Sequence, residues 1–281
     1  MGLGVLLLLL LLLAGLAAGF VAGLVGVGGG IIFAPVLFFY FRAAGVSAAV
    51  LTPLTLGSSL LCTLLVALAS AYFQHRRGAV LVRLMGIVGL CSALAVYGTT
   101  RFVTTQPWYT PEVFQVIFSI VLLTVVARML LKQPGGASGT AGPASADASP
   151  HSLAVLFGTG TAAGAVSSAV GVGGGVVLVP AYTTFLRIPI HKAVGTSSAT
   201  IVLISLAGVL TYSLHGGAAD VPATALGYVD ARALLLCLPA LLTARWGVQA
   251  AHAFNVRTLQ TAFALVAVLV AGRLLWGALG G

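Results

Sequence analysis

Eight long apolar stretches constrain this chain more than any other feature of its sequence. A helix needs about 20 mostly apolar residues to cross a lipid bilayer, and each stretch reaches that length. Only 6 % of the residues are charged, whereas about a quarter are charged in a soluble domain. The sequence therefore predicts an all-α polytopic membrane protein that is surrounded by the lipid bilayer. The stretches are 3–41, 46–73, 79–102, 111–131, 153–186, 193–214, 229–251 and 256–276.

An internal repeat relates the first four stretches to the last four. The sequence Gly-Val-Gly-Gly-Gly at 26–30 recurs at 171–175, and Pro35 recurs at the same offset as Pro180. Further matches follow in the same order in both halves, which indicates a duplication. The segment between the halves is rich in Gly, Ala, Ser and Pro, as flexible linkers are. We predict a first transmembrane repeat at 1–131, a linker at 132–152 and a second transmembrane repeat at 153–281.

Basic residues in short loops predict how the two halves are oriented. Arg76 and Arg77 follow the second stretch, and Arg187 and Lys192 follow the fifth. The positive-inside rule places these loops in the cytoplasm. All of them are cytoplasmic only if the first stretch of each half turns back at its glycines, as a broken or re-entrant helix. Each half then has five elements, and the halves form an inverted repeat with both termini outside.

An alternative topology has eight simple crossings and parallel repeats. It leaves the loop with Arg187 and Lys192 outside the cell, against the positive-inside rule. The first stretch also resembles a signal peptide, but no Lys or Arg precedes its leucines and its apolar character continues to Phe41. We expect this segment to be retained in the membrane.

The glycine runs are the first candidate site. The apolar segment after each run is too short to cross a bilayer, so a half-helix should begin at membrane depth. Its first N–H groups have no partner within the helix, and the helix dipole makes that end partly positive. Such an end binds anions; the alternative is that the glycines only allow close helix packing. The predicted substrate-binding glycines are Gly28, Gly29, Gly30, Gly173, Gly174 and Gly175.

Hydroxyl groups near two helix starts are second-choice ligands for the same anion. They are Thr52, Thr55, Thr196, Ser197 and Ser198. A hydroxyl binds an oxyanion without carrying charge. The alternative is that these side chains bond to the carbonyl four residues earlier in their own helix, as Ser and Thr often do in membranes.

Other residues give weaker indications. His75, His215 and Asp230 lie near segment ends. One interpretation is that they couple protons to transport, and the alternative is that they lie at the membrane interface without a function. Three cysteines (Cys62, Cys91 and Cys237) lack metal or redox spacing and are predicted to be packing residues. The sequence lacks protease, hydrolase and nucleotide-loop motifs, so we expect neither an enzyme nor a cofactor or metal. The net charge of +9 is scattered over loops, which favours topology signals over a nucleic-acid partner.

The glycine and Thr-Ser motifs resemble those of the sulfite exporter TauE/SafE family of membrane permeases. The resemblance rests on 19–35, 164–180 and 191–199, and it extends over nearly the whole chain. Leu51-Thr52-Pro53 departs from the Gly-Thr-Ser step of the second half. The resemblance implies proton-driven export of sulfite or a small organosulfonate across a bacterial inner membrane.

We therefore expect a multi-pass secondary transporter for a small anionic substrate. An anion channel and a membrane assembly subunit without transport activity are the alternatives. Whether the chain is a monomer or a homodimer stays open.

Overall fold

The part of the chain that the structure describes forms ten α-helices in two sets of five. The computed structural model describes residues 2–25, 28–106, 108–131, 153–215, 221–253 and 256–279. The first set is α1 (Gly2–Val25), α2 (Gly30–Ala43), α3 (Ala48–Arg76), α4 (Val82–Thr105) and α5 (Pro111–Leu131). The second set is α6 (Leu153–Val170), α7 (Gly175–Thr184), α8 (Ile190–Leu214), α9 (Leu234–Ala253) and α10 (Val256–Ala278). The linker predicted at 132–152 lies outside the described residues.

A short antiparallel hairpin follows α8. It pairs β1 (Ala225–Leu226) with β2 (Val229–Asp230), and a 3₁₀ turn (Ala231–Ala233) leads into α9. Within the described residues, five helical segments are long and apolar enough to cross a membrane. The predicted all-α architecture is confirmed, with this hairpin as its exception.

The first apolar stretch of each half is broken at its glycine run. Helix α2 has 14 residues and α7 has 10, which correspond to about 21 and 15 Å of helix. Both are shorter than the bilayer core of about 30 Å. Each half therefore begins with a long helix and continues with a short one that starts within the fold.

Helix α1 packs in parallel against α9 through three glycines. Added methyl groups would lie only 2.0–2.2 Å from carbonyl oxygens of α9, closer than any real contact. Because both helices advance by four residues from one contact to the next, they run in the same direction. The contacts are Gly15 with Leu236, Gly19 with Ala240 and Gly23 with Ala244.

The equivalent pair, α6 of the second set and α4 of the first, packs in the same way. Gly160 and Gly164 of α6 lie against the backbone of α4 at Val88 and Ser92. The first helix of each half thus packs in parallel on the fourth helix of the other half. A large apolar core lies among α1, α2, α3, α5, α9 and α10, and a smaller one lies among α4, α6, α7 and α8.

Helices α3 and α8 cross at the centre in antiparallel directions. Three pairs of neighbours show the direction, because the residue number rises along α3 while it falls along α8. They are Gly57 with Tyr212, Leu60 with Gly208, and Thr63 with Ile201. Thr63 and Ile201 both lie beside the glycine turns. Helices α5 and α10 are also antiparallel, since Gln115 lies at Gly277 and the Ser119 hydroxyl donates to the Ala271 carbonyl at 3.2 Å.

These directions define two faces of the protein. The start face, where α3 begins, carries residues 44–47, 106, 108–110 and the hairpin 221–233. The end face, where α3 ends, carries 77–81 and 185–189. Helix α1 begins and α10 ends on the start face, whereas α5 ends and α6 begins on the end face. His75 and His215 close α3 and α8, so they lie on opposite faces.

The α1–α9 contact generates a stability prediction. In Gly19→Ala the added methyl group would lie 2.0 Å from the Ala240 carbonyl oxygen, and such overpacking costs about 1–3 kcal/mol. We expect a lower unfolding temperature in detergent. The control is Gly86→Ala in α4, where no atom lies within 4 Å of the added methyl group; it should leave the unfolding temperature unchanged or raise it. Equal effects of the two substitutions would contradict this packing.

Candidate functional site

The two glycine turns meet where α3 and α8 cross. A methyl group added at Gly28 would lie 2.9 Å from Thr63 Cγ2, and one added at Gly173 would lie 2.5 Å from the same atom. Both would also lie 3.0–3.1 Å from Ile201 Cγ2. Gly30 contacts Gly171 and Val172 directly. Gly28, Gly30 and Gly173 therefore bring the two turns together in the middle of the fold, whereas Gly29 faces Phe33 and Ala22 and Gly174 faces Ala163 and Ile204.

Glycine is required at these turns by the backbone. The N-cap residues of α2 and α7 are Gly29 and Gly174, with φ of 75° and 78°. This left-handed region is costly for residues with a side chain. Neither helix start has a side-chain cap. The N-termini of two half-helices, each carrying about half a positive charge, thus point towards the same region from opposite halves.

Side chains from α3, α8 and the loop between α4 and α5 satisfy the carbonyl end of α6, next to the second turn. The Tyr212 hydroxyl donates to the Ser168 carbonyl at 2.8 Å, and the Tyr109 hydroxyl donates to that of Ala169. The Ser59 hydroxyl donates to the Gly171 carbonyl at 2.8 Å. Since an unpaired carbonyl at membrane depth is costly, these three bonds stabilise the break in the helix.

Most of the predicted hydroxyl ligands have structural partners instead. Thr55 donates to the Leu51 carbonyl at 2.7 Å and Ser198 to that of Val194 at 3.0 Å, which is the alternative that the sequence left open. The Thr196 hydroxyl accepts the Leu81 N–H at 3.0 Å.

The predicted hydroxyls do not form one cluster with the glycine turns. Thr52 and Thr55 lie towards the start face, whereas Thr196, Ser197 and Ser198 lie towards the end face. Thr52 lies about 16 Å along the helix from Thr63, given a rise of about 1.5 Å per residue. These side chains therefore flank the site from its two ends.

Two hydroxyls that the sequence analysis did not single out lie at the crossing. Thr63 and Ser205 are fully buried, and within the described part of the chain neither side-chain oxygen has a hydrogen-bond partner. The Ser205 oxygen would lie 3.4 Å from a methyl group at Gly173. In the sequence, each of these hydroxyls has only apolar neighbours for several residues on either side. This pattern is too common in membrane helices to identify a binding site.

The hairpin after α8 covers the crossing on the start face. The Asp230 N–H donates to the Ser58 hydroxyl at 2.9 Å, and the Tyr228 N–H donates to the Tyr212 carbonyl at 3.0 Å. The buried Asp230 carboxylate accepts bonds from Arg232, including one from Nε at 2.9 Å. In this structure Asp230 anchors the hairpin on α3.

Comparisons with known proteins cover nearly the whole chain. The sulfite exporter TauE/SafE family matches residues 11–274. A probable membrane transporter protein of Haemophilus influenzae is 29 % identical over 259 residues, which cover 92 % of this chain and 94 % of that protein. The probable membrane transporter protein YunE of Bacillus subtilis is 27 % identical over 211 residues, 72 % of this chain and 77 % of that protein. No solved structure is significantly similar.

The Asp230–Arg232 pair generates a pH-dependent prediction. Burial on its own would raise the pKa of the Asp230 carboxyl, but the bonds and charge of Arg232 outweigh it and hold the pKa below its ordinary value. Such a carboxyl stabilises the fold above its unfolded pKa, about 3.9, and this stabilisation is lost as the pH falls. We expect the unfolding temperature to drop between about pH 5 and pH 3.

The control for this measurement is Asp230→Asn, which retains the shape but cannot titrate. Its unfolding temperature at neutral pH should be lower than that of the native protein, and its fall with acid should be shallower. An equally steep fall in the variant would show that other carboxyl groups cause the acid sensitivity.

Proposed function

Since the chain belongs to the sulfite exporter TauE/SafE family of membrane transporters, we propose that it is a secondary transporter that exports a small oxyanion. Sulfite or an organosulfonate is the proposed substrate, in keeping with the family description. The observation that carries the proposal is the meeting of two half-helix N-termini at the α3–α8 crossing. The site residues are those of the turns, Gly28 to Gly30 and Gly173 to Gly175.

The electrostatics of this arrangement suit a small anion. Each helix start carries about half a positive charge, so two of them supply about one unit of charge without Lys or Arg. Neutral donors at membrane depth avoid the high cost of a buried cation. They also bind an anion less tightly than a paired guanidinium, which allows release on the far side.

The helix directions support the inverted repeat that the loop charges predicted. The third and fifth helices of the two halves, α3 with α8 and α5 with α10, run antiparallel. Two halves related by an axis in the membrane plane have this property, and parallel repeats do not. Rocking of one half against the other would then expose the site to each side in turn.

The distribution of charge supports a cytoplasmic end face. Arg76, Arg77, Arg83, Arg187 and Lys192 lie at or near it. Arg42, Arg101, Arg232 and Arg273 lie towards the start face, together with Glu112 and Asp230. By the positive-inside rule, both chain ends are outside and the linker is inside. On the basis of the family resemblance, we propose that the protein lies in the bacterial inner membrane and that its export is coupled to protons.

Replacing a turn glycine tests the site. Gly28→Ala places a methyl group 2.9 Å from Thr63 Cγ2 at φ 80°. Gly45→Ala is the matched control, because Gly45 has φ 77° but no atom within 4 Å of the added methyl group. Both variants should lose about 1–2 kcal/mol from the left-handed backbone, and Gly28→Ala should lose about 1–3 kcal/mol more from the close contact with Thr63, so flux is compared per amount of folded protein. We expect only Gly28→Ala to lose transport, by at least about tenfold, or about 1.4 kcal/mol in activation free energy.

The measurement is counterflow of radiolabelled sulfite into proteoliposomes preloaded with unlabelled sulfite. Sulfate, phosphate and methanesulfonate serve as competitors that define the substrate class. Uptake against the gradient is expected of a carrier and not of a channel. Equal flux through the two alanine variants would remove the glycine turns from the site, and an absence of any anion flux would overturn the proposed function.

Cysteine labelling tests the topology. Single cysteines at Gly78 and Lys192 should react with an impermeant maleimide only after the cells are opened, because both lie on the end face. A cysteine at Gly45 should react in intact cells. Parallel repeats would instead make Lys192→Cys reactive from outside.

A further inference from the structure

A continuous polar face runs along α3 from one side of the fold to the other. Its members follow one another at intervals of seven, four, seven and four residues, which returns each to the same side of a helix with 3.6 residues per turn. From the first to the last, the face extends about 33 Å at 1.5 Å per residue, about the thickness of the bilayer core. The members are Thr52, Ser59, Thr63, Ser70 and Gln74, all of them buried.

Most polar side chains of this face lack a hydrogen-bond partner. Within the described residues, the side-chain oxygens of Thr52, Thr63, Ser70 and Gln74 have none. In the same part of the chain, no other helix has more than one such oxygen; the others are on Thr100, Gln115, Ser167 and Ser205. Several buried hydroxyls of α8 instead bond to a carbonyl of their own helix, as Thr200 does to Thr196 and Thr211 to Ala207. A buried polar oxygen without a partner is costly, so four of them on one helix face indicate contact with a hydrophilic solute or water.

The polar face reaches the glycine turns at its centre. Ser59 donates to the Gly171 carbonyl at 2.8 Å, and Thr63 Cγ2 lies against both Gly28 and Gly173. Thr63 is therefore the member that lies beside the two half-helix N-termini: its methyl group contacts the glycines, and its buried hydroxyl has no partner within the described residues.

At the start face the polar face adjoins a cavity of about 500 Å³. Ala48, one turn before Thr52 on the same side of α3, lines this cavity, and so does Tyr109. The Tyr109 hydroxyl donates to the Ala169 carbonyl, two residues before the second glycine turn. Tyr109 thus connects the wall of the cavity to the segment that precedes the second glycine turn. Glu112 also lines the cavity, so an anion would be held more deeply, at Thr63.

We propose that the polar face of α3 lines the route along which the substrate crosses the protein. Thr63 supplies the hydroxyl that binds the anion between the glycine turns. Thr52 and the 500 Å³ cavity form the half that opens at the start face, and Ser70 and Gln74 form the half that leads to the end face. This inference rests on the proposed function for the identity of the substrate, but the route itself is testable without it.

Chemical accessibility tests the route. In a variant without native cysteines (Cys62→Ala, Cys91→Ala, Cys237→Ala), single cysteines replace Thr63 and Ser70. Leu64→Cys and Leu68→Cys are controls at similar depths on the other side of α3, where Leu68 is 47 % exposed towards lipid. The reagent is the anionic thiol reagent methanethiosulfonate ethylsulfonate. We expect it to modify the first pair at least about tenfold faster, since only a thiolate in contact with water reacts readily.

Substrate protection separates the route from the proposed function. Methanesulfonate is the protecting anion, because sulfite would destroy the reagent. It should slow the modification of Thr63→Cys several-fold and leave that of Ser70→Cys less affected. Fast modification without protection by any oxyanion would keep the route and overturn the anion site. Modification of Thr63→Cys and Ser70→Cys as slow as that of Leu68→Cys would overturn the route, even if sulfite counterflow is observed.

A substitution of nearly equal shape tests the role of Thr63. Thr63→Val removes the hydroxyl, and Thr63→Ser retains it. Losing a hydrogen bond to a charged ligand should raise the KM for sulfite counterflow at least about tenfold in the valine variant. The serine variant should retain a KM within about threefold of the native value. Thr211→Val, which removes a hydroxyl bonded within its own helix, is the control for folding. An unchanged KM in Thr63→Val would exclude Thr63 as a ligand.

Discussion

The cost of unpaired backbone groups at membrane depth governs this structure. A helix that breaks in the middle of a bilayer exposes carbonyls at one end and N–H groups at the other, and lipid offers neither a partner. At the second turn, the Tyr109, Tyr212 and Ser59 hydroxyls bond the carbonyls that α6 leaves free. Helices α2 and α7, by contrast, begin at left-handed glycines without side-chain caps. At the second turn, the carbonyl side of the break is thus satisfied by side chains, whereas the N–H side has no side-chain cap.

This asymmetry is what the proposed anion site depends on. Bonds from α3, α8 and the loop between α4 and α5 fix the end of α6, and with it the second glycine turn, relative to α3 and α8. The start of α7 is thereby held against Thr63 and Ile201. Because α3 and α8 run antiparallel, the starts of α2 and α7 approach this point from opposite halves. A ligand held there contacts both halves at once, as alternating exposure to the two sides requires.

The two halves differ most in the loops that follow their central helices. After α3, residues 77–81 form a short turn that packs on Gly195 and donates the Leu81 N–H to Thr196. After α8, the longer hairpin packs on Gly57 and Ser58, and the Asp230–Arg232 pair holds it there. The same contact is made on both faces, with a larger and more tightly anchored segment on the start face. The thiols of Cys62 and Cys237 also approach each other between α3 and α9, although their sequence contexts do not suggest a pair.

Sequence alone determined the features that depend on local composition. Apolar length required membrane helices, the repeated glycines required a break in each half, and the segments after them were too short to cross. Tertiary structure decided which groups meet, because a break does not specify the direction in which the next helix packs. Only the antiparallel crossing of α3 and α8 brought Gly28 and Gly173 to the same threonine. The partners of the hydroxyls also depended on the packing: Thr55 and Ser198 looked like ligands but bond within their helices, whereas the Thr63 hydroxyl has no partner among the residues that the structure describes.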